Sequence, residues 1–555
     1  MIYETVTAQT LEQIRCLDLR RMAGGLHIVT SSAEHERRPR EVLRAQKLLI
    51  FLFMKYVNLP SRSTRIPDPL GLRPAEAPPE FLHLLNRYRN TAFHLQHPLA
   101  DKLQAQRVGL PCLLLMPGPS LARIEPHCAE LAKRYLILTI SRVLPFLRRV
   151  GVTPDILVQL DTVPIQQHFH RPGDSFPESV LLALSLAPIR GFAPGFRQLF
   201  FIDSFDRSVL PNPFRVRESW LSSLLACLGC AETLCAPNVL LAGADLRLCG
   251  ESTYYSESPA GPDAAHSPYT LPLETAGDRV TLADANGRHA RTTLQYLATA
   301  AEAEMFARDI QASTGTVFRT LSPWSLLDQE VFAPLDVADA LAAPPLDRAA
   351  FLAKADAAAA MPERINLRSL RALYSRNLAE AKKHRDLVAC LRLSDPEALR
   401  QHPCTRYVEA NIPWFRPEGA ENREAMAGNL ASELYDAARF ARNVASLHLT
   451  ASTGAALTLL CTAEEEAEAL ERLKAARPGW SWRCLGARVP DTGRPEPSGG
   501  ALELRVLADW LRSRDVVVVA PGFAREYHYV LSLADDDNRV SLEELTAHAL
   551  RGAAG

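Results

Sequence analysis

Leu113-Leu114-Leu115-Met116-Pro117-Gly118-Pro119-Ser120-Leu121 reads as a short buried strand, a tight turn and the start of a helix. An unbroken apolar run before the turn fits a strand covered on both faces. Gly118 allows a ligand to approach the backbone closely, and Ser120 has the side chain of an N-cap. A turn that feeds a helix N-terminus at the carboxyl end of a strand is a natural seat for a phosphate. Taken alone, Gly-Pro-Ser is equally compatible with a plain turn.

Working outward, the same pattern repeats. Tyr135–Ile140 is a second strand, and Val143–Val150 a short helix. Gly151-Val152-Thr153-Pro154-Asp155 leads into a strand over Ile156–Leu160, with Asp161 at its carboxyl end. Val180–Leu186 and Gln198–Ile202 are further strands, and Ser219–Leu234 is a helix. Asn238–Ala242 is another apolar strand, closing on Gly243-Ala244-Asp245. Strands alternating with helices predict an α/β fold with a central, Rossmann-like, doubly wound and mostly parallel sheet. Ligands in such sheets sit beyond the carboxyl ends of the strands. Val280–Asp284 and Arg288–Thr292 flank Asn286-Gly287, a hairpin signal, and a long helix follows over Thr293–Ser313.

The flanks differ from this centre. Residues 1–105 are mixed and helical, with an apolar-faced helix over Arg40–Tyr56 and a Pro-rich stretch over Pro60–Pro79. The α/β pattern occupies 106–328, an Ala-rich helical region 329–450, and a small second α/β unit 451–555. In that last unit, Ala456–Cys461, Trp480–Leu485, Val516–Val519 and Tyr527–Leu533 read as strands, and Glu464–Ala475 and Leu502–Arg512 as helices.

Composition narrows the function classes. A formal net charge of -1 over 555 residues gives no support for a nucleic-acid partner. The most apolar early run, Leu48–Met54, is far too short to span a bilayer. The N-terminus lacks the basic and apolar regions of a signal peptide, and 11 scattered cysteines suit a reducing compartment, so a cytoplasmic protein is expected. Cys227 and Cys230 have a C-x-x-C spacing, but inside Leu224–Ala231 they read as core cysteines of a buried helix. There is no G-x-x-x-x-G-K-S/T and no G-x-G-x-x-G, which argues against a P-loop nucleotidase and a dinucleotide-binding fingerprint.

What remains is an ordered set: Gly118-Pro119-Ser120-Leu121, the Gly151–Asp161 run, and Gly243-Ala244-Asp245-Leu246. In order and spacing this set resembles the MptE-like domain of bacterial motility accessory factors (Maf), flagellin glycosyltransferases. The resemblance covers about 106–325 and includes the Asn286-Gly287 hairpin. The same domain also occurs in archaeal 6-hydroxymethylpterin diphosphokinases. The Gly-Pro-Ser-Leu loop is similar to one that holds a cytidine nucleotide in certain bacterial sialyltransferases. The chain departs from the family pattern in three places. Met116 stands where the first loop glycine is expected. Trp220-Leu221-Ser222-Ser223 replaces a Gly-Gly-Ser-Val segment, and Tyr254 and Tyr255 stand near the position of a histidine.

The resemblance implies transfer of a nonulosonic, sialic-like acid from a CMP-activated donor to Ser or Thr hydroxyls of flagellin. It implies that Gly118, Pro119, Ser120, Ser222, Gly243, Asp245 and Tyr254 bind nucleotide or substrate. Asp161 would hold a ribose hydroxyl, position the acceptor or act as base, with His168 and His170 as neighbouring bases. Arg142, after the second strand, reads as a solvated arginine or, alternatively, as the partner of an anionic sugar. No cofactor is required by this reading. The alternative, ATP-dependent diphosphate transfer to a pterin alcohol, would use Mg2+ with Asp161 and Asp245 as ligands. A third reading is a non-catalytic flagellar accessory protein with a degenerate site.

Overall fold

The apolar run after Pro111 forms β1 (Cys112–Leu115). In chain order it is followed by β2 (Leu136–Ile140), β3 (Ile156–Gln159), β4 (Phe176–Ala183), β5 (Phe196–Phe201) and β6 (Asn238–Ala242). A hairpin of β7 (Arg279–Ala283) and β8 (His289–Thr293) precedes β9 (Val317–Thr320) and the two-residue β10 (Ala333–Pro334). The structure is a computed structural model that describes residues 8–15, 32–53, 81–161, 169–170, 174–203, 222–248, 279–361, 365–406, 423–462, 464–487, 516–526, 531 and 538–546.

The main sheet has the order β10-β9-β6-β1-β2-β3-β4-β5, and every pairing in it is parallel. The chain starts at the central β1, steps outward to β5, and then crosses back to lay β6 on the other side of β1. That reversal makes the β1/β6 boundary the topological switch point. Strand residues alternate between two cores: Leu113 and Leu115 face one layer of helices, Cys112 and Leu114 the other. Burial on both faces is why these strands read as unbroken apolar runs. The fold is α/β and Rossmann-like, as expected.

Local chemistry sets the helix ends. Ser222 caps helix Ser223–Thr233, accepting the Leu224 N–H at 3.0 Å, and Thr293 caps helix Leu294–Thr314, accepting the Tyr296 N–H at 3.1 Å. The long helix ends on Gly315, at φ +75°. Pro126 breaks the helix after Ser120 into Leu121–Ile124, a 3-10 turn and Cys128–Ala132. Cys227 and Cys230 are fully buried free thiols inside helix Ser223–Thr233, raised by burial, which fits the core reading.

Helices Leu367–Ser394 and Arg423–Ser452 pack against each other and join the same core as one face of the main sheet. A second parallel sheet follows, β12-β11-β13-β14, from β11 (Leu457–Thr462), β12 (Trp482–Ala487), β13 (Val517–Val519) and β14 (Arg539–Ser541). The strand expected over 527–533, Leu531 apart, and the helix over 502–512 fall outside the described residues. The short β10 and β14 were not anticipated, because two or three residues carry no periodicity. Among the described residues no helix is long and apolar enough to cross a membrane.

Helix Pro39–Phe53 lies on helix Leu294–Thr314. Lys47, 1% exposed, makes a buried ion pair with Glu304 and donates to Leu326 O at 2.9 Å. Glu304 also accepts the Asp328 N–H at 2.8 Å. Arg44 grips Asp328 through two bonds of 2.7 Å, and Arg308 adds a third of 2.7 Å. Burial raises the Glu304 carboxyl despite Lys47, whereas for Asp328 burial is outweighed by Arg44 and the Glu330 N–H, which hold it low. Removing one partner leaves an uncompensated buried charge. Lys47→Met should therefore lower the unfolding free energy by about 3–5 kcal/mol in urea titration. Lys47→Met with Glu304→Gln should recover part of the loss, since the amide oxygen still accepts from Asp328.

Candidate functional site

The carboxyl ends of β1, β2, β3 and β6 open onto one crevice of about 300 Å3. Its walls are Met116–Gly118 after β1, Ile140–Arg142 from β2, Leu160 and Asp161 after β3, and Gly243 and Ala244 after β6. The N-terminal ends of helices Ser223–Thr233 and Leu294–Thr314 complete it, with Ser222, Ser223 and Leu224 from the one and Gln295, Tyr296 and, in the second turn, Thr299 from the other. It stands at the switch point, where the loops after β1 and β6 diverge, and is large enough for a small ligand.

Beneath the crevice the two loops interlock. Met116 N–H donates to Ala242 O at 2.9 Å, and Gly118 N–H to Gly243 O at 2.8 Å. Gly243 N–H donates to Ser120 Oγ at 3.0 Å, and Ser120 N–H to Asp245 Oδ2 at 2.7 Å. The other Asp245 oxygen accepts from Ser322 Oγ, and Asp245 O accepts the Leu326 N–H at 3.1 Å. Ser120 and Asp245 are each 2% exposed. A Cβ on Gly118 would lie 2.3 Å from Gly243 O; one on Gly243, whose φ is +72°, would lie 1.8 Å from Met116 O. Both glycines are therefore required by the close passage of one backbone over the other.

The β2 and β3 ends supply the polar wall. Asp161 is an exposed residue of this wall, and burial of its carboxyl raises it above the ordinary range against the pull of Arg142. The Arg142 guanidinium lies over the Phe169 ring, 5.5 Å from its centroid. Ser141 Oγ donates to Gln159 Oε1 at 2.8 Å and lies 3.2 Å from His170 Nε2. With the hydroxyl proton committed to Gln159, the network assigns the His170 proton to Nε2. His170 stacks on Phe192 at 4.5 Å, and burial pushes it down to about 4.

The crevice thus gathers Gly118, Asp161, Ser222 and Gly243 of the expected residues. Three expectations need correction. Ser120 does not present its N–H to a ligand, because the Asp245 carboxylate already takes the anion's place at that turn. Asp245 is not paired with Asp161 as a Mg2+ ligand set, since its oxygens accept from Ser120 and Ser322 while Asp161 faces the crevice. His170 is not a base facing the crevice: it sits behind Ser141, and its Nδ1 is buried without a partner. Pro119 shapes the turn without lining the crevice. His168 and Tyr254 lie outside the described residues. Sequence reading missed Ser141, Gln159, Tyr296 and Thr299. The first two could have been found as the polar residues at the ends of β2 and β3. The helix pair needed the packing.

The chain is similar to the structure of MAf glycosyltransferase from Magnetospirillum magneticum AMB-1. Identity is 13%, 77% of this chain and 69% of that chain are covered, and the TM-score is 0.37. No protein-family model and no curated protein matches.

The interlock and the buried imidazoles generate two expectations. Gly243→Ala should cost about 1–3 kcal/mol or more from overpacking at a positive φ, and Asp245→Asn about 1–3 kcal/mol by turning an amide N–H toward a buried donor. Chemical denaturation measures both, and wild-type stability in either variant would refute the interlock. Burial also pushes His402 down to about 4, and His97 and His448 to about 3. Below pH of about 6.5 the unfolded chain binds protons that the folded chain does not take up until about pH 4 at His402 and about pH 3 at His97 and His448. Stability should be full above about pH 6.5 and fall as pH drops from there toward about 3. A His97→Phe/His448→Phe chain should fall less steeply.

Proposed function

We propose that the chain is a glycosyltransferase that binds a nucleotide-activated sugar in the β1/β6 crevice. The observation that carries this reading is the crevice itself: a switch-point pocket whose wall holds Asp161, a carboxyl raised by burial, within reach of the charge of Arg142. The ordered Gly118-Pro119-Ser120, Gly151–Asp161 and Gly243-Ala244-Asp245 set supports a CMP-activated nonulosonic acid as donor and Ser or Thr of flagellin as acceptor. The proposed setting is the cytoplasm.

The proposed reaction is displacement at the anomeric carbon. The acceptor oxygen forms the new C–O bond, the bond from the sugar to the CMP phosphate oxygen breaks, and CMP leaves with that electron pair. Asp161 takes the acceptor's hydroxyl proton, a task that its raised pKa favours over that of an ordinary carboxylate. Arg142 faces the sugar's own carboxylate. Ser141 and Gln159, tied to each other at 2.8 Å, hold the β2 and β3 ends in register around the pair. Gly118 and Gly243 form the wall nearest the donor and need no side chain there. Diphosphate transfer is the weaker reading, because the two carboxylates it would use do not share one space.

Thermal-shift measurements with CMP, CDP, ATP and GDP test the reading. Selective stabilisation by CMP, about 2.7 kcal/mol at 100 times its Kd, is expected. Asp161→Asn should keep the CMP shift and lose about 10²–10⁴ of transfer rate. A shift with ATP that requires Mg2+ would move the assignment to diphosphate transfer. No shift with any nucleotide would leave the non-catalytic accessory protein.

A further inference from the structure

Thr299 lies in the second turn of helix Leu294–Thr314, is 1% exposed and lines the crevice. Its Oγ1 is buried and has no hydrogen-bond partner among the described residues. The other buried hydroxyls around the switch point are paired: Thr139 Oγ1 donates to Leu115 O at 2.8 Å, Ser325 Oγ to Ala244 O at 2.7 Å, and Ser141 Oγ to Gln159. A helical threonine can also donate to the carbonyl one turn back, as Thr314 does to Ile310 O at 2.7 Å, but Thr299 does not. A hydroxyl left unpaired inside a protein is a costly state, relieved when a ligand supplies the acceptor.

The surroundings of Thr299 indicate what that acceptor is. Helix Leu294–Thr314 packs against helix Ser223–Thr233, whose opening residues Ser222–Leu224 line the same crevice. The leading N–H groups of this 11-residue helix carry partial positive charge toward the crevice. The corresponding place after β1 is closed to an anion, because Asp245 already holds the Ser120 N–H. We propose that the Thr299 hydroxyl donates a hydrogen bond to a phosphoryl oxygen of the nucleotide, making this helix pair, rather than the Gly118–Ser120 turn, the phosphate subsite. The assignment deepens the glycosyltransferase reading and rests on it.

Calorimetric titration of the full chain with CMP and with cytidine, which lacks the phosphate, tests this. Thr299→Val removes the hydroxyl at nearly constant shape, and Thr299→Ser retains it. The Val variant should bind CMP about tenfold more weakly than wild type, while the Ser variant stays close to wild type. Cytidine should bind all three chains alike. The ligand-free Val variant should melt at or above the wild-type temperature, since no protein hydrogen bond is lost. Equal CMP affinity in wild type and Thr299→Val would overturn the assignment alone. So would an equal loss for CMP and cytidine, or a lowered melting temperature of the ligand-free Val variant. Absence of CMP binding to the wild-type chain would overturn the glycosyltransferase reading together with it.

Discussion

The contact on which the site depends is one backbone passing over another: Gly118 N–H to Gly243 O at 2.8 Å. The loops after β1 and β6 leave neighbouring parallel strands in the same direction, and the crevice between them has a fixed shape only if they are locked at the base. The lock needs glycine on both sides, since a Cβ at either position would enter the opposite main chain. Ser120 and Asp245 then add one bond in each direction between the loops, and Ser322 ties the second carboxylate oxygen to the segment after β9. Three stretches far apart in sequence are held by groups that are nearly all buried.

This lock changes the electrostatics of the site. A turn leading into a helix invites an anion, and here the protein provides its own, the Asp245 carboxylate. The positive potential available to a ligand therefore comes from elsewhere in the crevice: Arg142 on the β2 side and the opening of helix Ser223–Thr233 on the other. Asp161 lines the same crevice, with its carboxyl raised by burial. The two positive regions are separate, so a ligand that carries two separated anionic groups meets one at each, with Asp161 left for a hydroxyl.

The rear of the site is braced by charge in the interior. Lys47 and Arg44, from a helix near the start of the chain, reach Glu304, Leu326 O and Asp328. Leu326 N–H in turn bonds Asp245 O, so the ion network and the loop lock are consecutive links of one chain of contacts. Such a pair is weak evidence for net stability, but it fixes where the helix carrying Tyr296 and Thr299 stands relative to β6.

Much of the fold was legible from the sequence. Parallel strands buried on both faces must be unbroken apolar runs, and β1, β2, β3, β5 and β6 were each located from that signal. The Asn286-Gly287 turn marked the hairpin, and Pro126 marked the break in the helix after Ser120. Periodicity, turn chemistry and capping are local properties, so one stretch of chain suffices to express them. The partners of each polar group were not legible. The sequence placed Ser120, Asp161 and Asp245 at strand ends, but only the order β6-β1-β2-β3 decides which carboxylate faces the crevice and which turns inward to a neighbouring loop. The same holds for His170, which stands behind Ser141, and for Thr299, brought to the crevice by a helix that follows β6 by some fifty residues. Hydrogen-bond partners across the switch point lie more than a hundred residues apart, and that pairing is a property of the tertiary structure alone.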